Sequence, residues 1–592
     1  MTNATPWRFY GREKEVARLT NGLQIGTPLE NRLFLALRVR GRRGVGKTDL
    51  LKQMKARAPH DMPVVIQEMR GPESQEDKRP STAEIKRYVK DTNHGLLAQA
   101  GTLGYVLPDP CRPPDDDLHH EWAWFRKVLT ELLKAGTVVV LDEFHHAAPL
   151  GLHHQVKQVI DTARGSSEAN RKWPGKIVVM GSHQQKVDAM FTEDQPLYNR
   201  IGSTYLLNPW RLSTLMKMAA EQGILASPEK FLTLFTAYGG LPRHWERYCV
   251  EPDYAPLHDI TDDREWRQEW LAVEQDFLAN DERERWDAKA YVELPGKWRD
   301  LLLWICAKKP RGVTIKDIPN DLGQVSHEEK VEALHQLRHW VKLVDTNTLV
   351  GEQGVSRWFI SDLNTLYQIH VFREYETIIK GVGRDQEPPT VAALGRYEAS
   401  GTAHRKHMES LEGEGLEVMA AAFLSELAHE GGWSGLRVWH PAVPGDIDAM
   451  ATRMKPGQEK IWLGSAKRNE KDHEPAEDRK GGKGLTAKKE QQDRFMDALI
   501  ASSINRKDQI SGDNLTHAER ARVLFSRVFS PELRQEYQGK GFEPVDIHDI
   551  ARSFGLDPAP HVTPKHAQVA TPAANDQEDE PGSIPEPLRP PM

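Results

Sequence analysis

An α/β multidomain fold is predicted by three observations on the 592-residue chain. Short runs of β-branched and aliphatic residues, at 32–39, 64–67, 138–141 and 177–180, alternate with stretches of helical apolar spacing. That alternation builds a parallel sheet with helices on its faces. Beyond about residue 208 the pattern turns helical and then hairpin-like, and the length exceeds what a single core holds.

Each element follows in order. Phe9 to Leu19 reads as a loop and the start of a helix. Arg32 to Val39 reads as a strand leading straight into Gly41, and Leu50 begins an amphipathic helix. Val64 to Gln67 is a second buried strand. Residues 70–120, polar and Pro-rich in places, read as helix and insertion loop. Trp122 to Leu133 has helical spacing. Val138 to Leu141 is the unbroken aliphatic run of a central parallel strand, and Ile177 to Met180 is another. These elements make up a core over 1–208, followed by a helical lid over 209–296.

Residues 297–372 change again. The helices Trp298–Cys306, Ile315–Ile318 and Glu328–Val341 precede two strand-like runs, Lys342–Leu349 and Ser356–Ile360, the order of a winged helix. A linker over 373–400 contains Gly-Val-Gly and Glu-Pro-Pro. An α/β unit over 401–550 follows, and the Pro-rich, acidic stretch 551–592 reads as a disordered tail.

Composition narrows the function. Hydrophobic residues make up 39% and charged residues 28%, as in ordinary soluble proteins. No apolar run approaches the length that spans a bilayer, so no membrane partner is expected. Cys111, Cys249 and Cys306 lie far apart and suit a reducing compartment. The N-terminus lacks the layout of a signal peptide, and a cytoplasmic location is expected. With a net charge of −7, any DNA contact must come from local basic surface.

Gly41-Arg42-Arg43-Gly44-Val45-Gly46-Lys47-Thr48 fits G-x-x-x-x-G-K-[ST] in full, between an apolar strand and a helix. Gly41, Gly44 and Gly46 let backbone N–H groups face phosphate oxygens, and the helix N-terminus adds partial positive charge. Lys47 is expected to bridge the terminal phosphates of ATP, and Thr48 to ligate Mg²⁺. The run 138–143 ends in Asp142 and Glu143. Asp142 is expected in the Mg²⁺ shell, and Glu143 as the carboxylate that polarises the attacking water.

Phe9-Tyr10-Gly11-Arg12-Glu13-Lys14-Glu15 before such a loop resembles the opening of prokaryotic and archaeal ATPases of the STAND (AAA-like) group. Gly181-Ser182-His183, Pro196-Leu197-Tyr198-Asn199-Arg200 and Gly239-Gly240-Leu241-Pro242-Arg243 resemble further segments of that group, over roughly 7–250. The resemblance implies a P-loop NTPase fold and homo-oligomeric assembly. It puts Ser182 at the sensor position and Arg243 in the lid motif beside the nucleotide. Arg200 becomes an arginine finger or sensor, with a structural salt bridge as the equal alternative. Family members often carry a winged helix after the lid. Lys330, His335, Arg338 and His339 offer it basic contacts to DNA, diluted by Glu328, Glu329 and Glu332.

The unit from 401 resembles the PD-(D/E)xK nuclease fold. A helix bearing Glu417 precedes Gly445-Asp446-Ile447-Asp448, a turn at Lys455-Pro456-Gly457, and the run Lys460 to Lys467. Residues two apart on a strand share a face, so Asp446 and Asp448 point together, as do Ser465 and Lys467. The resemblance implies a metal held by Asp448, with Lys467 acting on water near the scissile phosphate. Ser465 stands where that pattern has a glutamate, and a hydroxyl is a poorer Mg²⁺ ligand than a carboxylate. Either Glu417, or next Asp446, completes the metal site, or the unit binds nucleic acid without cutting. The mixed-charge stretch 468–490 reads as a solvated loop, and Val523 to Phe529 as one more strand. The pairs His145-His146 and His153-His154 lack the companion ligands of a metal site.

The expectation is an ATP-hydrolysing switch coupled to a DNA-acting nuclease-like effector, in mobile-element or defence biology by resemblance. Its alternative is a nucleotide-controlled scaffold that binds DNA or protein through an inactive nuclease-like unit.

Overall fold

Five strands, β1 (Ala36–Gly41), β2 (Val64–Glu68), β3 (Val138–Asp142), β4 (Lys176–Met180) and β5 (Ser203–Leu207), form one sheet. Their order across it is β2-β3-β4-β1-β5, and every neighbouring pair is parallel. Parallel neighbours need long crossovers. The helix α1 (Glu13–Leu23) precedes β1, and α2 (Lys47–Arg57), α3 (Thr82–Thr102), α4 (Leu118–Lys134), α5 (Leu152–Gly165) and α6 (Gln184–Ala189) lie between the strands in sequence.

The unbroken apolar runs explain the two-sided burial. Val139, Leu141, Ile177 and Val179 pack in one layer with Leu96, Phe125, Leu129 and Val156 of α3, α4 and α5. Val138, Val140, Val178 and Met180 pack in the other layer with Leu19, Leu50 and Met54 of α1 and α2. Alternate residues of one strand thus serve opposite faces. Within the stretch 70–120, α3 opens on a reciprocal cap. Ser81 Oγ accepts from Glu84 N at 3.3 Å, and Ser81 N donates to Glu84 Oε2 at 2.9 Å.

This computed structural model describes residues 10–23, 36–41, 44–59, 62–71, 80–104, 117–165, 173–181, 184–200, 203–280, 301, 313–319, 326–339, 344–348, 356–360, 367, 408–409, 411–427, 448–453, 460–473, 485–490, 492–494 and 519–558. The expected linker 373–400 and the stretch 559–592 lie outside them.

The helical region expected as a lid holds α7 (Leu212–Glu221), α8 (Pro228–Tyr238), α9 (Pro242–Val250) and α10 (Asp263–Asn280). Its core is aromatic, with Tyr238, Trp245, Tyr254, Trp266 and Trp270 fully buried. Glu274 Oε1 accepts from Tyr238 Oη at 2.7 Å, Tyr254 Oη at 2.6 Å and Arg247 Nη2 at 2.8 Å. A buried carboxylate is tolerated only with such partners.

β6 (Val313–Thr314), β7 (Val344–Thr348) and β8 (Ser356–Ile360) form a small antiparallel sheet in the order β6-β8-β7, preceded at the hairpin by the helix His327–His339. Of the expected helix Trp298–Cys306, only Leu301 is among the described residues.

The last unit has a four-stranded sheet in the order β12-β11-β10-β9: β9 (Ala449–Arg453), β10 (Lys460–Ala466), β11 (Glu519–Phe525) and β12 (Glu543–Val545). β9 is antiparallel to β10, and the other pairs are parallel. Helix 411–427 covers one face, where Phe423 meets Phe525 edge-on at 5.9 Å. The helix Ile547–Ser553 crosses the boundary expected at 550. A cap of Asp546 with Asp549 starts it, and Ile547, Ile550 and Ala551 bury its face, features that the low apolar content of the tail obscured.

The lid and the last unit meet through charge. Glu412, 1% exposed, accepts from Arg267 at 2.5 Å, from Thr233 at 2.6 Å and from Arg468 at 2.7 Å. Glu229 of α8 pairs with Arg267 and Arg527, and with Arg468 at 3.3 Å. Glu426 accepts from Ser213 N at 3.2 Å, and the His548 ring meets Leu225 O at 3.0 Å.

Candidate functional site

Gly41 ends β1, and α2 begins at Lys47. Between them Gly44 and Gly46 take φ of 75° and 84°, the left-handed region that glycine enters without a Cβ penalty. Arg42 and Arg43 lie outside the described residues. Lys47 is buried and donates through Nζ to Gly41 O at 2.9 Å, so its ammonium folds back over the loop.

The acids at the end of β3 meet this loop. Thr48 Oγ1 donates to Asp142 Oδ2 at 2.9 Å across 94 residues of sequence. Asp142 Oδ1 accepts from Glu143 N at 2.8 Å. Burial raises the Asp142 carboxyl above its ordinary range, opposed by the bonds from Thr48 and the Glu143 N–H. Glu143 itself has φ of 51°, a left-handed conformation that non-glycine residues seldom adopt. Its carboxylate lies 3.1 Å from His145 Nδ1.

The start of α9 reaches the same loop. Arg243, at the start of α9, donates its backbone N–H to Gly44 O at 3.3 Å. A Cβ added at Gly44 would lie 3.5 Å from Arg243 Cβ, and one at Gly46 would lie 3.9 Å from Pro242. The Gly-Gly-Leu-Pro-Arg segment therefore sits directly against the phosphate loop.

Arg200 is placed elsewhere. β5 pairs with β1 in parallel, Ser203 beside Leu37 and Leu207 beside Gly41. Arg200 precedes β5 and so lies toward the end of the sheet opposite Gly41. Its Nε donates to Asp161 of α5 at 2.5 Å, with the side chain 30% exposed. Arg164 holds the turn by donating to Asn199 O and Arg200 O. Ser182 lies outside the described residues.

In the last unit, Asp448 and Lys467 come together, Nζ to Oδ2 at 3.8 Å. Asp448 Oδ2 also accepts from Ala466 N at 2.7 Å. Ser465 is fully buried, and its Oγ accepts from Lys488 Nζ at 3.3 Å. Glu417 is buried on helix 411–427, which packs on the face bearing Phe525, the face opposite Ser465 by strand alternation. Asp446 lies outside the described residues. Among the described residues, no group of three or more His, Cys, Asp or Glu side chains could hold a metal ion.

No family model matches the chain, and no curated protein matches it. Solved structures do. The Walker-type ATPase PABY2304 of Pyrococcus abyssi is similar at 16% identity and a TM-score of 0.38, covering 61% of this chain and 96% of that one. The ORC2 protein of Aeropyrum pernix, in its ADPNP–ADP complexes, is similar at 14% identity and 0.35, covering 63% and 97%. Cdc6p of Pyrobaculum aerophilum is similar at 14% identity and 0.26, covering 64% and 97%. At these scores the functional reading rests on the residues of this chain.

Two side chains join the site that motif reading did not assign to it. Arg12 is buried, and its Nη2 donates to Val45 O at 3.2 Å and Asn208 O at 2.6 Å, tying the phosphate loop to the end of β5. The Gly11-Arg12-Glu13 segment was visible as a resemblance, but its contact was not. The second is His145 beside Glu143. As a helix-surface histidine it carried no signal in the sequence, and it is in fact buried.

Proposed function

We propose that this chain is an ATP-hydrolysing switch of the AAA-like P-loop class whose lid drives a DNA-acting C-terminal unit. The observation that carries the reading is the Thr48–Asp142 hydrogen bond beside a loop with two left-handed glycines. A hydroxyl and a carboxylate in contact are the two protein groups that would hold Mg²⁺, which neutralises phosphate charge when bound. Lys47, released from Gly41 O, is the cation for the β- and γ-phosphates. Loop N–H groups and the α2 N-terminus receive the phosphate oxygens. Glu143 orients the attacking water and takes its proton, and the β–γ phosphoanhydride bond breaks to give ADP and phosphate. Ser182 and Arg243 complete the phosphate contacts. His145 sets the rotamer of Glu143.

Glu143→Gln is expected to lower hydrolysis by ~10²-fold or more while leaving ATP binding within a few fold. Turnover and equilibrium binding of a fluorescent ATP analogue measure the two. Hydrolysis within tenfold of wild type would remove Glu143 from the role of base.

Arg200 reads as a finger for a neighbouring copy, since its own phosphate loop is at the other end of β1. Surface ion pairs contribute little to stability, so the Asp161 pair is a weak reason for it. Arg200→Ala is expected to cost ~10³-fold in turnover. The melting temperature should hardly change, and wild-type turnover per chain should rise with protein concentration. Normal turnover in the variant would return Arg200 to a structural role.

The small antiparallel sheet with its preceding helix supports a winged helix. Lys330, however, is buried and donates to Ile318 O at 3.3 Å and Pro319 O at 2.9 Å, so its expected contact with a phosphate backbone is withdrawn. The exposed His335 stays on the helix as a candidate. The second reading, a nucleotide-controlled scaffold whose C-terminal unit binds without cutting, is favoured by the buried Ser465 at the acidic position.

A further inference from the structure

The nuclease-like reading of the C-terminal unit implies a divalent metal, and the donor set around Asp448 can be tested for one. The fit fails at three points. Ser465 replaces the acid, is fully buried, and has its hydroxyl oxygen engaged by an ammonium, Lys488 Nζ at 3.3 Å. Asp448 Oδ2 is occupied by the Ala466 N–H and lies 3.8 Å from a second ammonium, Lys467. No further His, Cys, Asp or Glu among the described residues completes a ligand group.

Lys488 is itself 4% exposed. It also donates to His473 O at 3.4 Å, so two elements fix its head beside the sheet. A lysine ammonium is strongly hydrated in water and buries only where the site supplies a counterpart to that hydration. Four residues on, Gln492 is fully buried, and neither of its amide atoms has a partner among the described residues. Buried amides are rarely left so, and Lys488 and Gln492 are two buried polar side chains beside the apolar cluster of Leu485, Leu524 and Tyr537.

We infer that Lys488 is the resident cation of this site. It stands where a divalent metal would, and the C-terminal unit works without one. The charge that a carboxylate and a metal would supply together is supplied by a serine and a lysine together. Such a site leaves Lys467, a quarter exposed, to receive a phosphodiester oxygen. It offers no metal-activated water to cut with. This inference rests on the nuclease-like reading of the C-terminal unit and is independent of ATP hydrolysis.

The test is Mn²⁺ binding to the full chain without nucleotide, read by the loss of the free-ion electron paramagnetic resonance signal. Asp142→Asn is present throughout to silence the ATPase site. The chain with Ser465 and Lys488 is expected to take up no Mn²⁺ at micromolar concentration. Adding Ser465→Glu with Lys488→Met is expected to create one site per chain, weakened roughly tenfold or more by Asp448→Asn. Circular dichroism and thermal melting establish that each variant folds. Two results would overturn the inference: a Mn²⁺ site in the Ser465 and Lys488 chain that Asp448→Asn removes, or a folded double variant that gains none. ATP turnover of the chain with Asp142 intact reports separately on the ATPase reading, so the two fail distinguishably.

Discussion

Lys47→Ala abolishes measurable ATP turnover, an expected loss of ~10²-fold or more. The magnitude follows from removing a side-chain cation placed at the charge that develops on the transferred group. The same change should cost the fold little. It deletes the Nζ bond to Gly41 O, a net contribution of roughly 1 kcal/mol. Water entering beside the loop would lower the cost further. Turnover assays and a melting curve on one preparation separate the effects. If turnover survives in a folded variant, the assignment of this loop to ATP hydrolysis fails.

The second large effect is on stability. Glu412→Ala removes the most buried carboxylate of the network between lid and C-terminal unit, leaving Arg267 and Arg468 facing each other across the gap. Breaking a buried pair from one side typically costs about 3–5 kcal/mol. Here the lower end is expected, because Glu229 still contacts both arginines. Glu412→Gln keeps an acceptor for Thr233 and should fall between the alanine variant and wild type. Differential scanning calorimetry reads the outcome. A transition within a degree of wild type for Glu412→Ala would mean that the network contributes nothing to holding the two units together.

The sequence made the glycine-rich loop and the central strand of the core legible for a physical reason. Phosphate binding at a strand-to-helix turn needs glycines at fixed offsets and a lysine at the helix start, and a central parallel strand needs a two-sided apolar run. Both constraints are local, and both appear as expected at Gly44, Gly46, Lys47 and Val138 to Leu141. What was illegible is long-range. That Arg12 spans from Val45 O to Asn208 O depends on a closure no local pattern encodes. Lys488 lay in a stretch of mixed charge that reads as a solvated loop. Only its burial against Ser465 of β10 sets it apart from the exposed Lys489. The register of Ser465 and Lys467 was legible from strand periodicity, while the side of the sheet taken by the helix of Glu417 was not.

The contacts between lid and C-terminal unit also set a clock for synthesis. Leu225 and His548 are 323 residues apart in the chain, and Glu229 and Arg468 are 239 apart. At ribosomal speeds of about 5–20 residues per second, the lid helices emerge roughly 16–65 s before the last of their partners exists. During that interval Glu229 and Arg267 face water, and the α8 surface waits uncovered. Part of the aromatic cluster is local, Trp245 on Phe231 and Tyr238 and Trp266 on Tyr248 and Trp270, and it can form in the nascent chain before Tyr367 and the C-terminal unit complete it. Docking of the C-terminal unit then becomes the last step of folding, made by a chain already tethered to its target.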